Sequence, residues 1–204
     1  HKLIAIRINS ISNLGAYSSG FGQNIQSTLA QKVFPGVYDV QIGYFGVKGV
    51  YTNTTPVDAY RGAGRPEAIY VIERLMDHAS RQFGMDQSTL RRKNFISASQ
   101  MPYTSLAGEL YDTGDFDKVL NRAELEADIA GFEARKERSA MDGKLRGLGL
   151  CFYIESILGS PQETTRIKFV DDGVMNLYVG TQSNGQGHET AYTQLVCEKT
   201  GWDP

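Results

Sequence analysis

Hydrophobic and polar positions change period several times along the chain, and each change marks an element. Lys2 to Asn9 alternates through Leu3, Ile4, Ala5, Ile6, Arg7 and Ile8. That predicts a strand, and apolar content on both of its faces predicts an interior position in a sheet. Asn13-Leu14-Gly15 predicts the break of this strand, Ser18 to Gly22 a loop, and Gln23 to Lys32 a short helix ended by Pro35-Gly36. Between Tyr38 and Thr54, the residues Val40, Ile42, Tyr44, Phe45, Val47, Val50 and Tyr51 give one or two strands, with Gly43, Gly46 and Gly49 inviting bulges.

The period then becomes helical. Ile69, Ile72, Leu75, Met76, Ala79 and Phe83 predict a helix from Pro66 to Gln82 with Gly84 as its stop, and Asp86 caps a shorter helix through Lys93. Tyr103-Thr104-Ser105 and Glu109-Leu110-Tyr111 around Ala107-Gly108 predict a small hairpin. Asp115 caps a helix with the stripe Phe116, Val119, Leu120, Ala123, and after Gly131 the polar run Glu133 to Arg138 predicts a more exposed one. From Lys144 three strands are implied: Leu148 to Ile154, Ile167 to Val170 and Val174 to Val179, the last two joined by an Asp172-Gly173 turn. Ala191, Leu195 and Val196 extend a final helix to about Lys199. The order predicts an α+β fold, mixed sheets with packed helices, divided into residues 1–114, a helical linker 115–142, and residues 143–204.

Composition narrows the classes. The chain has 204 residues, 41% hydrophobic and 22% charged, which is ordinary globular usage and argues against disorder. A net charge of -2 gives no reason to expect nucleic acid, and no apolar run is long enough to cross a bilayer. Arg91-Arg92-Lys93 reads as a solvated face near a helix end. Cys151 and Cys197 lack the paired spacing of zinc or iron-sulfur sites and read as buried thiols compatible with a reducing, cytoplasmic compartment. His188-Glu189-Thr190-Ala191-Tyr192 lacks the second histidine of a zinc protease. There is no initiating methionine or signal peptide, and both ends read as cuts within a longer chain.

Two segments carry the candidate chemistry. In Ala59-Tyr60-Arg61-Gly62-Ala63-Gly64-Arg65-Pro66-Glu67-Ala68 a glycine turn feeds a helix whose first position suits proline, so the first-turn amides are expected to point at a ligand. Taken alone, the pair of glycines fits a tight turn before a packed helix equally well. The second segment, Gly180-Thr181-Gln182-Ser183-Asn184-Gly185-Gln186-Gly187-His188-Glu189-Thr190, has the same physics, a glycine-relieved loop opening a helix.

Together with Gly143-Lys144-Leu145-Arg146-Gly147-Leu148-Gly149-Leu150, these segments resemble the molybdenum-binding large subunits of the xanthine dehydrogenase, aldehyde oxidase and aerobic carbon monoxide dehydrogenase family. The resemblance covers nearly the whole chain. It implies parts of two molybdopterin-binding regions joined by the helical linker, and an oxidoreductase that hydroxylates aldehydes or N-heterocycles with water. The implied cofactor is molybdenum-molybdopterin, compatible with a cytosine dinucleotide form. Arg61, Gly62, Ala63, Gly185, Gln186, Gly187 and His188 are its expected contacts, and Ala63, Glu155 and Ser156 the expected lining of a small-molecule substrate pocket. Iron-sulfur and FAD subunits or domains are the implied partners.

Departures from the family pattern matter as much. Ala63 stands where some relatives carry an aromatic residue that stacks on substrate. Form I carbon monoxide dehydrogenases have Cys-Ser-Phe, with a copper-binding cysteine, where this chain has Gly62-Ala63-Gly64, so it resembles the copper-free form II type. The family's catalytic base, a glutamate, is expected beyond Pro204, so no catalytic residue and no direct metal ligand is expected here. Glu67 and Glu189 suit the dipole of a first helical turn. The isolated chain is expected to be inactive and to retain no cofactor, and faces left by the cuts are expected to favour homo-oligomers. The alternative reading is a non-catalytic phosphate-binding or structural interaction module.

Overall fold

In the computed structural model, which describes residues 1–159, 162–170 and 173–203, strand β1 (Ala5–Gly15) lies parallel to β2 (Ile42–Tyr51). Parallel neighbours cannot be joined by a tight turn and need a crossover. Here the crossover is helical: α1 (Gly22–Asn24), a π-helical turn (Ile25–Leu29) and α2 (Ala30–Val33). The register runs from Ala5 opposite Ile42 to Gly15 opposite Tyr51 and slips between Asn13 and Gly15. The break predicted there is thus an irregularity within a longer strand. No slip occurs at Gly43, Gly46 or Gly49. The expectation that β1 is interior is not met, because among the described residues its sheet has two strands, and Ile4 and Ile11 are 77% and 73% exposed.

Helix α3 (Arg65–Gln82) packs on this layer and α4 (Gln87–Asn94) follows it, with the Asp86 carboxylate accepting from Thr89 N–H as the predicted cap. Ile69, Ile72 and Met76 are buried in one cluster with Val33, Phe34, Val37, Tyr38 and Leu90, each aliphatic burial contributing about 1.5–3 kcal/mol. Leu75 and Phe83, which share the apolar period of α3, are exposed, so the buried stripe is narrower than the pattern.

Polar residues fill part of that core. Glu73 and Asp77, one turn apart on α3, both face Arg91 of α4, which is fully buried: its Nε lies 2.9 Å from Glu73 Oε2 and its Nη2 2.8 Å from Asp77 Oδ1. Tyr38 donates to the other Glu73 oxygen at 2.5 Å, and burial followed by that carboxylate pushes its phenol well above the usual range. The reading of Arg91-Arg92-Lys93 as a solvated face is therefore corrected. Lys93 alone is exposed, while Arg92 pairs with Asp117 and Glu124 of α5 (Phe116–Glu126).

The hairpin appears as β3 (Tyr103–Thr104) against β4 (Leu110–Tyr111), and Asp115 caps α5 through Lys118 N–H. Leu120 is the buried residue of α5 and Val119 is exposed; α6 (Phe132–Met141) is the exposed helix expected after Gly131. Residues 148–154 are not the predicted strand. They belong to a strap, residues 148–156, without regular secondary structure, in which Leu150 O accepts from Arg91 Nη2 at 3.2 Å and Phe152 is buried edge-on to Phe95 with ring centroids 4.8 Å apart. Cys151 is exposed and Cys197 half-buried, correcting the expectation of buried thiols.

Contacts divide the chain into two units, 1–156 and 157–204, and the strap belongs to the first. In the second unit, β5 (Arg166–Phe169) pairs antiparallel with β6 (Met175–Tyr178), as predicted. Asp172 of the predicted turn lies outside the described residues. Helix α7 (His188–Thr200) closes the unit, and none of its residues is buried. No helix among the described residues is long and apolar enough to cross a membrane.

Candidate functional site

The first glycine turn is closed on itself. Ala63 N–H donates to Tyr60 O at 2.8 Å, Arg65 N–H to Gly62 O at 2.9 Å and Ala68 N–H to Gly64 O at 3.1 Å. Pro66 has no N–H, so Glu67 N–H alone among the first-turn amides of α3 lies outside these bonds. The expectation of a row of ligand-facing amides is corrected accordingly. Gly64 has φ +86°, and a Cβ there would fall 2.1 Å from Ile25 O and 2.8 Å from Leu29 Cβ of the π-helical turn. A side chain at 64 is excluded by packing as well as by backbone conformation.

Arg65, absent from the expected site residues, organises this turn. It is 3% exposed; its Nη1 donates to Ala63 O at 2.9 Å, its Nη2 donates to Ser156 O, and its Nε lies 3.0 Å from Glu155 Oε1. The second Glu155 oxygen accepts from Tyr153 OH at 2.8 Å. Burial, and then this carboxylate, push the Tyr153 phenol up to about 12. A Cβ on Gly62 would sit 3.4 Å from the same phenol oxygen. Ser156 Oγ donates to Glu109 Oε2 at 3.1 Å, and Glu109 Oε1 pairs with Lys32 at 3.2 Å. Lys32, Glu109, Glu155 and Ser156 line a cleft of about 220 Å³ that Tyr111 and Phe116 also border.

Glu155 and Ser156, expected in the substrate pocket, are thereby joined to Ala63 through one guanidinium. Arg61 is exposed and Ala63 half-buried. One signal for Arg65 was present in the sequence: a cation at the first position of a helix opposes the dipole and calls for a carboxylate.

The second loop is open. Gly185 and Gly187 have φ +90° and +75°, and a Cβ on Gly187 would meet nothing within 4 Å. Ala191 N–H donates to Gly187 O at 3.0 Å, whereas among the described residues the amides of His188, Glu189 and Thr190 find no backbone acceptor and no side chain caps α7. Gln186 folds back on its loop: Oε1 accepts from Asn184 N–H at 2.5 Å, and Nε2 donates to Gln182 O at 3.0 Å and lies 2.8 Å from His188 Nε2. With Nε2 accepting, the neutral imidazole carries its proton on Nδ1. That atom is buried and has no hydrogen-bond partner among the described residues. The ring stacks on Tyr192 at 4.9 Å, and Tyr192 OH is 3.0 Å from Thr181 Oγ1.

An unpaired donor beside three uncommitted amides and a glycine with clear space fits the acceptor oxygens of a phosphate-bearing cofactor tail. The scaffold is thus an α+β one that presents one closed and one open glycine loop, each opening a helix.

The comparisons with known proteins sharpen this. Residues 1–95 and 122–204 each match the molybdopterin cofactor-binding domain. Carbon monoxide dehydrogenase large chain of Hydrogenophaga pseudoflava is 30% identical, over 98% of this chain and 27% of the relative. A Cu,Mo-CO dehydrogenase structure superposes with TM-score 0.77 at 28% identity, over 98% of this chain and 28% of that one. Quinoline 2-oxidoreductase from Pseudomonas putida 86 gives TM-score 0.77 at 25% identity, over 95% and 26%. The chain belongs to the molybdopterin cofactor-binding domains of the molybdenum hydroxylase large-subunit family. It spans about a quarter of the length of the relatives it matches.

Proposed function

We propose that this chain is the cofactor-holding part of a hydroxylase that acts on aldehydes or N-heterocycles with water as the oxygen source. The supporting observation is the open start of α7, where among the described residues the His188, Glu189 and Thr190 amides enter no backbone bond and the buried His188 Nδ1 has no hydrogen-bond partner. When bound, the molybdenum cofactor supplies two-electron oxidation of the substrate carbon. Gly185 and Gly187 let the backbone approach it, the α7 amides and His188 hold its acceptor oxygens, and Gln186 orients the loop while keeping one Oε1 lone pair for the ligand. A dinucleotide form adds a second phosphate for the same donors.

In the first unit, Arg61, Gly62 and Ala63 form a substrate-facing wall, with Glu155 and Ser156 joined to Ala63 through Arg65. Gly62 offers no sulfur for copper, and the methyl of Ala63 leaves room for substrates wider than carbon monoxide. The base that activates water, and the iron-sulfur and flavin groups that accept electrons, belong to segments or subunits outside this chain, in a cytoplasmic complex.

The full-length protein, produced with its neighbouring subunits in cells that synthesise molybdopterin, tests the reading. Molybdenum and pterin are expected at one per large subunit, with turnover of aldehydes or N-heterocycles exceeding turnover of carbon monoxide. Absence of pterin from the intact protein contradicts the reading. The 204-residue chain alone is expected to be inactive with little bound molybdenum, and stoichiometric metal in it contradicts that part.

A further inference from the structure

The strap and the first glycine turn share a single buried cation, and two arginines hold the strap at its two ends. Arg91 bonds the Leu150 carbonyl at 3.2 Å; Arg65 bonds the Ser156 carbonyl and pairs with Glu155 at 3.0 Å. Between them Phe152 is buried against Phe95. Arg91 spends its charge on Glu73 and Asp77 and is anchored by helix packing. Arg65 differs, because its remaining bond runs to the Ala63 carbonyl at 2.9 Å, at the middle of the glycine turn.

We propose that Arg65 is a positioning residue: it locks the turn Arg61–Gly64 to the strap so that Ala63 and Glu155–Ser156 move as one wall. This deepens, and rests on, the reading of these residues as the substrate side of the site. Gly62 and Gly64 confer backbone freedom that would leave the Ala63 carbonyl loosely directed, and the planar guanidinium, with Nη1 on that carbonyl, Nη2 on the Ser156 carbonyl and its charge against Glu155, fixes it to a second segment. Tyr153, bonded to the other Glu155 oxygen and facing Gly62, braces the carboxylate from the turn side. A lysine has one compact ammonium and cannot reproduce the fork.

Amide hydrogen exchange of the full-length protein carrying Arg65→Ala or Arg65→Lys tests this. In Arg65→Ala, exchange is expected to rise by about tenfold or more in both 59–64 and 153–156, with α4 changing less than about twofold, and Arg65→Lys is expected to fall between wild type and Arg65→Ala. Glu155→Ala combined with Arg65→Ala is expected to add little to Arg65→Ala alone, since the ion pair is already lost with the guanidinium. In the molybdenum-loaded protein, Arg65→Lys raises KM for the best substrate found by profiling more than it lowers kcat. Acceleration confined to one segment, or an equal rise throughout including α4, overturns the proposal. Pterin content of the wild-type protein is scored separately, so a protein that binds none overturns the functional reading while the exchange result still decides the link.

Discussion

The two glycine loops look alike in sequence and behave oppositely in structure. Around Gly64 the backbone is packed to contact, its amides are bonded within the turn, and Arg65 ties it to a second segment. Around Gly187 there is clear space, three amides are uncommitted, and a buried imidazole nitrogen lacks a partner. A glycine pair before a helix therefore serves two ends. In one loop it lets the protein approach itself, and in the other it leaves room for something else to approach.

The largest effect expected concerns the fold that closes the first loop. Arg91→Met leaves Glu73 and Asp77 buried without their cation, and the loss is expected at about 3–5 kcal/mol in urea unfolding of the full-length protein. A loss below about 1 kcal/mol breaks the claim that the first region is held by buried charge. Next comes the glycine pair itself. Gly64→Ala meets both positive φ and the Ile25 carbonyl and is expected to cost about 3–4 kcal/mol, whereas Gly187→Ala meets only the backbone term, about 1–2 kcal/mol. Equal costs remove the contrast.

Function is expected to sort the other way. His188→Ala and Gln186→Ala shift stability by less than about 1 kcal/mol but lower the pterin content of the purified full-length protein severalfold. Normal pterin content in both variants places the cofactor's contacts elsewhere.

The smallest effect is with pH. Burial raises the phenols of Tyr103 and Tyr111 to about 12, Tyr103 being further raised by its bond to Asp39. Each titrates higher folded than unfolded, so its contribution is complete below about pH 10 and is lost as pH rises through about 12. Alkaline titration followed by tyrosine absorbance should show phenolate appearing together with loosening of the β3–β4 hairpin.

Much of the fold was legible from local pattern. The Asp86 and Asp115 caps, the extent of α3, the β3–β4 hairpin and the β5–β6 pairing depend on neighbours close in sequence. What escaped depends on distant partners. Arg91 read as solvated because its acids lie on another helix, although Glu73 and Asp77 fall among the buried positions of α3 and so call for a cation. Leu148 to Ile154 alternates like a strand, but arginine donors and Phe152 hold it where a sheet neighbour was expected. Both loops were visible as motifs. Their difference was not, since it rests on what lies beside Gly64 and Gly187 rather than on the glycines.

The difference is testable in one measurement: amide hydrogen exchange of the full-length protein with and without its molybdopterin. Loading is expected to slow exchange by about tenfold or more at His188, Glu189 and Thr190, while Ala63 and Arg65, whose amides are already bonded, change by less than about twofold. Protection at Ala63 and Arg65 with none at the start of α7 would contradict the assignment of the open loop to the cofactor.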